Sequence, residues 1–189
     1  MYDALFFDLD GTLIDTESIA CDTGVAALRA HGADIDRSFM LRLIGKDEPT
    51  SAAIIAQSFP QIDLQGVRLL WKAEFEAAVD RGLPLKPGAA ELLSTGGMPK
   101  VLVTSTGRTG AHRKLAIAGI AAHFAHVVTF DDVAAPKPAP DPYLLAARLV
   151  GLPPARCLVF EDSEPGAESA HRAGCVVVQV PDQAPSQGR

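Results

Sequence analysis

The sequence predicts an α/β protein, with a doubly wound parallel sheet and an all-α domain inserted after the first strand. An apolar run near the N-terminus breaks into acidic residues and is followed by a long stretch with helical periodicity. Further apolar runs then alternate with helical segments, which indicates a parallel sheet with right-handed crossovers. Because the helical stretch offers no partner strand, we predict that the first strand pairs with the later ones.

The first predicted strand, Ala4–Phe7, is continuously apolar, which is typical of a strand buried on both sheet faces. It runs into Asp8-Leu-Asp-Gly-Thr12. Two carboxylates at the end of a buried strand are costly unless a cation or a reaction uses them, and open α/β sheets hold their ligands at this edge. Taken alone, the stretch is equally typical of an Asp-Gly turn. An EF-hand calcium loop is disfavoured, because its glycine and bidentate positions would fall on Leu13 and Ile19.

Residues 15–85 form the predicted helical domain. Its expected helices run from Asp15 or Thr16 to about His31, from Asp36 to Gly45, from Thr50 to Phe59, and from Leu64 to about Asp80. The apolar stripe of the last helix includes Trp71 and Phe75, which we interpret as core residues. Four such helices can pack as a small bundle. An insertion leaving this edge of a sheet is expected to act as a lid over the active-site crevice.

Residues 86–189, together with 1–14, form the predicted α/β domain. The later strands are expected at Val101–Val103, Val127–Val128, Cys157–Phe160 and Cys175–Val178, all of them buried. The expected helices run from Pro87 through Leu93, from Thr109 to Ala118, from Asp141 to Val150 and from Pro165 to Ala173. Glycines stand where the last three of these helices should end.

Composition excludes several classes of protein. The net charge of -6, with no basic patch, argues against a nucleic-acid or anionic membrane surface. No apolar run approaches the roughly 18 residues of a membrane span, and the acidic N-terminal residues do not fit a signal peptide. We therefore expect a cytoplasmic protein; nothing demands more than a monomer, and a dimer is left open. The three cysteines lack Cys-x-x-Cys spacing, which favours buried thiols over a zinc site.

Polar residues also follow the later strands. Thr104-Ser-Thr106 follows one strand, Glu161-Asp-Ser163 follows another, and Lys137 precedes the helix that begins at Asp141. Each group alone has an ordinary structural explanation, as a strand-end hydroxyl, a loop lysine or a helix cap. In a parallel sheet, however, these strand ends meet at one edge, so the groups should gather beside Asp8.

This combination matches the requirements of phosphoryl transfer. A magnesium ion and Lys137 could neutralise a phosphate that would otherwise repel a carboxylate nucleophile. Asp8 and Asp162 could bind the ion as hard oxygen ligands, with Glu161 behind them. The Thr104 hydroxyl and backbone N–H groups could hold the phosphoryl oxygens. A second acid, two residues from the nucleophile, could give the leaving alkoxide its proton.

The four motifs resemble those of the haloacid dehalogenase superfamily, most closely its capped group that includes β-phosphoglucomutase and phosphoglycolate phosphatase. The resemblance implies that Asp8 is a nucleophile that forms an aspartyl-phosphate, and that Asp10 is a general acid and then a base. It implies phosphate binding by Thr104, Ser105, Lys137 and Gly11. It implies a magnesium site made by Asp8, the backbone carbonyl of Asp10, and Asp162, with Glu161 in support.

We therefore predict a magnesium-dependent phosphomonoester hydrolase acting on a small phosphorylated metabolite, for example a sugar phosphate. The alternatives are a sugar phosphomutase and a non-enzymatic phosphate-binding regulator of the same fold; a receiver domain is disfavoured because receivers lack the helical insertion. The mutase resemblance implies a basic residue near the position of Glu48, which favours the hydrolase. Substrate selection is expected from residues of the insertion and from one beyond Thr106: Glu17, Lys46, Asp47, Glu48 and Arg108.

Overall fold

The computed structural model describes residues 1–43, 46 and 48–181. The chain divides into two compact units, an α/β unit of Met1–Asp15 with Leu83–Arg189 and a helical unit of Thr16–Gly82. In chain order the elements are β1 Ala4–Phe7, α1 Thr16–Ala30, α2 Arg37–Leu41, α3 Glu48–Ser58, α4 Leu64–Arg81, α5 Ala89–Ser94, β2 Lys100–Val103, α6 Arg108–Ile117, β3 His126–Val128, α7 Asp141–Val150, β4 Cys157–Glu161, α8 Glu164–Ala173 and β5 Val176–Gln179. Within the described residues, no helix has the length and apolar character needed to cross a bilayer.

The α/β unit contains one five-stranded parallel sheet, which confirms the predicted fold class. Its strand order is β3-β2-β1-β4-β5, so β1 lies in the centre. Phe6 is in register with Val101 of β2 on one side and with Val159 of β4 on the other. The carboxyl ends of β1, β2 and β4 therefore lie side by side, and this arrangement positions the candidate site.

Both faces of β1 are covered, which explains why its sequence is apolar without alternation. On one face, Phe6 belongs to a core cluster that includes Tyr143 of α7 and Ala170 of α8. On the other face, the ring of Phe7 stacks on that of Phe160, with their centroids 5.0 Å apart. Burial of each phenylalanine stabilises the fold by roughly 2 kcal/mol.

Two expectations about this unit were wrong. The last strand was predicted to be buried, but Val176 and Val178 are 39% and 41% exposed, because β5 is an edge strand that pairs with β4 alone among the described strands. Pro87 was predicted to lie in the first turn of a helix, but α5 begins after Gly88. Gly88 has a φ of 82°, and because this left-handed conformation is not helical, the helix cannot extend back to Pro87.

The helical unit contains α1 to α4 and has a core of its own, to which α1 contributes Leu28 and α4 contributes Val67. The side chain of Asp36 caps α2, as the sequence predicts. Trp71 packs against this core, and its Nε1 donates a hydrogen bond to the carbonyl oxygen of Ala20 at 2.9 Å.

Two helix boundaries in this unit differ from the expected ones. Helix α3 begins at Glu48 rather than Thr50, because the first turn of a helix tolerates a proline such as Pro49. The helix expected to run to Gly45 ends at Leu41, where Arg42 is its C-cap, and Gly45 itself falls outside the described residues.

Candidate active site

The turn after β1 places the first two carboxylates of the site. The backbone N–H of Asp8 donates to the carbonyl oxygen of Phe160 at 3.0 Å, so Asp8 is still held by the sheet. Gly11 then turns the chain with a φ of 84°. A Cβ atom on Gly11 would lie 2.4 Å from Asp162 Oδ2, so only glycine allows this close approach. Beside it, the Thr12 hydroxyl donates to Asp162 Oδ1 at 2.7 Å.

Lys137 joins the ends of three neighbouring strands. Its Nζ donates to Asp8 Oδ1 at 2.7 Å, to Glu161 Oε1 at 2.5 Å, and to the carbonyl oxygen of Val103 at 2.9 Å. An ammonium group has three donors, so these three acceptors satisfy it. Burial alone would lower the pKa of Lys137, but the carboxylates of Asp8 and Glu161 raise that pKa above its ordinary value. The buried side chain therefore stays charged.

Three carboxylates cluster at this edge, and two of them, Asp8 and Glu161, contact the Lys137 ammonium group. Asp8, Glu161 and Asp162 each offer an oxygen, and these atoms lie within 4.8 Å of one another. Burial raises the pKa of Asp8 well above its ordinary value; Lys137 opposes this, whereas the negative charges of Glu161 and Asp162 add to it. Crowded, desolvated carboxylates are stabilised by a cation. The oxygen-only donor set fits a hard divalent ion.

The oxygens of Glu161 are already occupied by protein donors. Oε1 accepts from Lys137 and, at 3.2 Å, from the hydroxyl of Tyr143. Oε2 accepts from the backbone N–H and the hydroxyl of Ser163 at 3.0 and 2.9 Å. A carboxylate has about four acceptor positions, so Glu161 is better placed to support Lys137 than to bind a metal directly.

The loop after β2 brings two further predicted residues to this edge. Thr104 is buried; its backbone N–H donates to the carbonyl oxygen of Val128 at 2.9 Å, and its Oγ1 accepts from the N–H of Thr106 at 3.0 Å. Ser105 is exposed. The Thr106 hydroxyl reaches Asp10 Oδ2 at 2.8 Å, which ties this loop to the turn after β1.

Two residues outside the strand-end motifs also contact carboxylates of the site, and sequence reasoning missed both. Lys114, on α6, donates to Asp10 Oδ1 at 2.6 Å. In the sequence, Lys114 stands out only by its place on the predicted helix, next to the apolar positions Ala111 and Leu115. Both of these are buried in the structure. Tyr143 is fully buried on α7, with its hydroxyl on Glu161 and its ring 5.2 Å from Lys137 Nζ. A tyrosine on the buried face of a helix needs a hydrogen-bond partner for its hydroxyl, and this need was the signal that could have pointed to Tyr143.

The residues predicted to select the substrate fall into separate groups. Glu17 and Lys46 line one pocket of about 210 Å³ in the helical unit, together with Ser51 and Trp71. Glu48 belongs to a different pocket, of about 940 Å³, and its carboxylate pairs with Arg68 at 3.2 Å.

The other two lie elsewhere. Arg108 pairs with Asp132 at 2.6 Å in the α/β unit. Asp47 falls outside the described residues. The role of all five residues in substrate selection stays a prediction.

Comparison with known proteins identifies the family. The family model described as haloacid dehalogenase-like hydrolase matches residues 2–174. Hexitol phosphatase A of Escherichia coli (strain K12) is 36% identical over 179 residues, which cover 92% of this chain and 81% of that protein. A bifunctional riboflavin kinase/FMN phosphatase of Arabidopsis thaliana is 32% identical over 182 residues, which cover 94% of this chain. The matched region is 48% of that protein, so the chain spans about half its length.

A solved structure agrees with the sequence comparisons. The crystal structure of a HAD family hydrolase from Deinococcus radiodurans R1, with bound phosphate and sodium, superposes with a TM-score of 0.84. It is 29% identical, and the match covers 93% of this chain and 79% of that one. The motifs at the strand ends, the strand order and these matches together show that this chain belongs to the haloacid dehalogenase-like hydrolases.

Proposed function

We propose that this haloacid dehalogenase-like phosphatase hydrolyses the phosphomonoester of a small phosphorylated metabolite, in the presence of Mg²⁺ and through an aspartyl-phosphate on Asp8. The observation that carries the proposal is the buried Asp8 carboxylate, held by Lys137 within a cluster of three carboxylates. Similarity to a hexitol phosphatase supports a sugar or sugar-alcohol phosphate as the substrate class.

The metal site would be made by the Asp8 and Asp162 carboxylates and by the backbone carbonyl of Asp10. These are oxygen ligands, as Mg²⁺ prefers, and three clustered carboxylates exceed the single charge of Lys137. When bound, the ion would neutralise charge on the phosphoryl oxygens and on the nucleophile. Thr12 orients Asp162 through the hydroxyl hydrogen bond described above.

In the first step, an Asp8 carboxylate oxygen forms a bond to phosphorus while the bond from phosphorus to the ester oxygen breaks. The leaving alkoxide takes a proton from the Asp10 carboxyl group and departs as an alcohol. Lys137 keeps its positive charge beside Asp8 throughout. Thr104, Ser105 and backbone N–H groups near Gly11 would hold the phosphoryl oxygens.

In the second step, a water molecule gives a proton to Asp10 and its oxygen bonds to phosphorus. The bond from phosphorus to Asp8 breaks, which releases inorganic phosphate and restores the Asp8 carboxylate. Asp10 therefore ends the cycle protonated, as it began, and the two steps balance as hydrolysis of one ester by one water.

Transfer to a sugar hydroxyl would instead make the chain a mutase. The mutase resemblance implies a basic residue near position 48, but this chain has Glu48, which is paired with Arg68. Hydrolysis therefore fits the sequence better than transfer between sugar positions.

The proposal is tested with p-nitrophenyl phosphate, by measuring turnover with added Mg²⁺ and with a chelator. We expect Mg²⁺-dependent turnover that Asp8→Asn lowers by at least about a thousandfold. The matched control is Asp34→Asn, which makes the same chemical change at an exposed position of the helical unit and should leave the rate unchanged. Persistence of turnover in Asp8→Asn would contradict the proposal.

A second measurement detects the intermediate directly. Rapid acid quenching of turnover, followed by peptide mass spectrometry, should find one added phosphoryl group on the peptide that contains Asp8. We expect this species to accumulate in Asp10→Asn, because that variant lacks the base for the second step. Phosphorylation of a different residue would contradict the assignment of Asp8.

A further inference from the structure

Both carboxylate oxygens of Asp10 accept hydrogen bonds, one from α6 and one from the loop after β2. Lys114 Nζ donates to Oδ1 at 2.6 Å, and the Thr106 hydroxyl donates to Oδ2 at 2.8 Å. The two donors lie 3.5 Å apart, which closes a triangle around the carboxylate. The Lys114 side chain is 16% exposed and that of Asp10 is 30% exposed.

The two donors are themselves fixed by the fold. Thr106 is held through its backbone N–H by the Thr104 hydroxyl. Lys114 projects from α6, and that helix is anchored by the buried side chains of Ala111 and Leu115. Lys137 meanwhile donates three hydrogen bonds to other acceptors, on Asp8, Glu161 and Val103. Two lysines therefore serve two different carboxylates, one at each predicted catalytic aspartate.

We propose that Lys114 is a positioning residue that, with Thr106, fixes the carboxyl plane of Asp10 for proton transfer to and from the substrate oxygen. The inference rests on the proposed function, in which Asp10 is the acid and then the base. The terminal torsion of an aspartate has a broad energy minimum, so donors on both oxygens are needed to fix it. Misplacement of a reacting group by about 1 Å can cost about a hundredfold in rate.

The geometry is compatible with the proton transfer itself. Each carboxylate oxygen offers about two lone-pair positions, so the hydrogen bond from Lys114 or from Thr106 does not by itself exclude a proton from the same oxygen. In the first step, the O–H bond of Asp10 breaks as its proton passes to the ester oxygen, whose bond to phosphorus breaks. In the second step, a proton of the attacking water returns to Asp10. Lys114 keeps its own protons in both steps.

The test compares two aryl phosphates of similar size, phenyl phosphate and p-nitrophenyl phosphate. Phenolate is the more basic leaving group and depends more on an acid, whereas nitrophenolate leaves with little help. We expect Lys114→Met and Thr106→Val each to lower kcat/KM for phenyl phosphate at least about tenfold more than for p-nitrophenyl phosphate. Lys114→Arg and Thr106→Ser keep a donor and should recover most of the loss. Arg148→Met, which likewise removes a cation but at an exposed position of α7, should leave both rates unchanged.

A double-mutant cycle separates positioning from a structural role. If Lys114 acts through Asp10, then Lys114→Met should lower kcat/KM for phenyl phosphate by less than about twofold in the Asp10→Asn background. The inference is overturned if Lys114→Met lowers kcat/KM equally for both substrates, or lowers neither, while Asp10→Asn alone discriminates between them. If Asp10→Asn itself fails to discriminate, the acid role of Asp10 in the proposed function fails, and this inference fails with it.

Thermal unfolding of each variant checks the fold, and Thr106→Val provides the test if Lys114→Met does not fold.

Discussion

At the scale of single residues, the electrostatics of the site depend on Lys137. Its ammonium group pairs with two of the three clustered carboxylates, Asp8 and Glu161, and its side chain is 5% exposed. Removing one partner of a buried ion pair leaves an uncompensated charge. Its three acceptors come from the ends of β1, β2 and β4, so the same side chain also links those strands.

We expect Lys137→Met to abolish phosphatase activity and to lower the free energy of unfolding by about 3–5 kcal/mol, because Asp8 and Glu161 lose their buried counter-charge. Urea denaturation of the metal-free protein measures the change. Lys72→Met is the control, and a change at such an exposed position should stay within about 0.5 kcal/mol. A loss below about 1 kcal/mol for Lys137→Met would mean that water solvates these carboxylates.

Two buried thiols make a separate prediction about pH. Burial raises the pKa of Cys157 from its ordinary value of 9.0 to about 11 and, with a contribution from Cys157, that of Cys175 to about 12. The unfolded chain therefore loses these protons at a lower pH than the folded protein does. Because the folded-state pKa is the higher one, the stability that the thiols contribute is complete below about pH 9 and is lost as pH rises towards 11–12.

For Cys157 the loss amounts to about 1.4 kcal/mol at pH 10. We expect the free energy of unfolding of the parent to fall by that much more between pH 8 and pH 10 than that of Cys157→Ala. Urea denaturation at the two pH values measures both differences, so any cavity left by the substitution cancels. Equal losses in parent and variant would show that the Cys157 thiol has the same pKa in the folded protein and in the unfolded chain.

Some residues of the site could be predicted from the sequence, whereas others could not. Asp8, Lys137, Glu161 and Asp162 could be predicted because they follow strands or precede a helix, and the ends of parallel strands meet at a known edge. Lys114 and Tyr143 could not, since their contacts with Asp10 and Glu161 depend on how α6 and α7 are rotated against the sheet. Apolar periodicity fixes which face of a helix is buried, but not the partner of a polar group beside that face.

At the scale of elements, α8 and β4 meet at one glycine. A Cβ atom on Gly166, in the first turns of α8, would lie 1.7 Å from Glu161 Oε1, the atom that holds Lys137. Close packing of the helix start on the strand end therefore fixes the position of this carboxylate. No other side chain fits without moving Glu161.

Alanine usually stabilises a helix by about 0.5–1 kcal/mol relative to glycine. At Gly166 we expect the opposite sign: Gly166→Ala should cost about 1–3 kcal/mol by overpacking and should lower turnover of p-nitrophenyl phosphate, because Glu161 is displaced from Lys137. Thermal unfolding and the phosphatase assay measure the two effects. Gly96→Ala is the control, since a Cβ atom there meets nothing within 4 Å. A stabilised Gly166→Ala variant would show that the helix start can move at little cost.

The elements were predictable to the extent that local signals decide them. Capping by Asp36 and the terminal glycine of α7, Gly151, are local signals, and most helices lie close to their expected bounds, although α2 ends earlier than expected, at Leu41. The exposure of β5 could not be predicted, because an apolar run such as Val176–Val178 is compatible with a central strand and with an edge strand. Strand order is decided by pairing across the chain rather than by composition.

At the scale of the whole molecule, the candidate metal ligands and the two aspartates predicted to be catalytic all belong to the α/β unit, whereas the helical unit has a separate core. A core substitution in the helical unit should therefore change stability without changing metal affinity. Leu28, fully buried in that unit, offers the test.

We expect Leu28→Ala to lower the free energy of unfolding by about 2–5 kcal/mol and to leave the Mg²⁺ dissociation constant unchanged when titration is done well below the unfolding temperature. Asp162→Asn is the counterpart and should weaken Mg²⁺ binding at least about tenfold. Isothermal titration calorimetry measures both. Weaker Mg²⁺ binding in Leu28→Ala would show that the helical unit contributes to the ion site.

The central place of β1 has a consequence for biosynthesis. The strand that precedes Asp8 is translated before the other strands of its sheet, yet it is flanked by β2 and by β4, whose Phe160 is in register with Phe7. At about 5–20 residues per second, a ribosome needs several seconds after making β1 to supply β4. Until then β1 lacks one of the two strands that cover its edges, and Lys137 lacks its Glu161 partner. The sheet around Asp8 can therefore close only after β4 has been made.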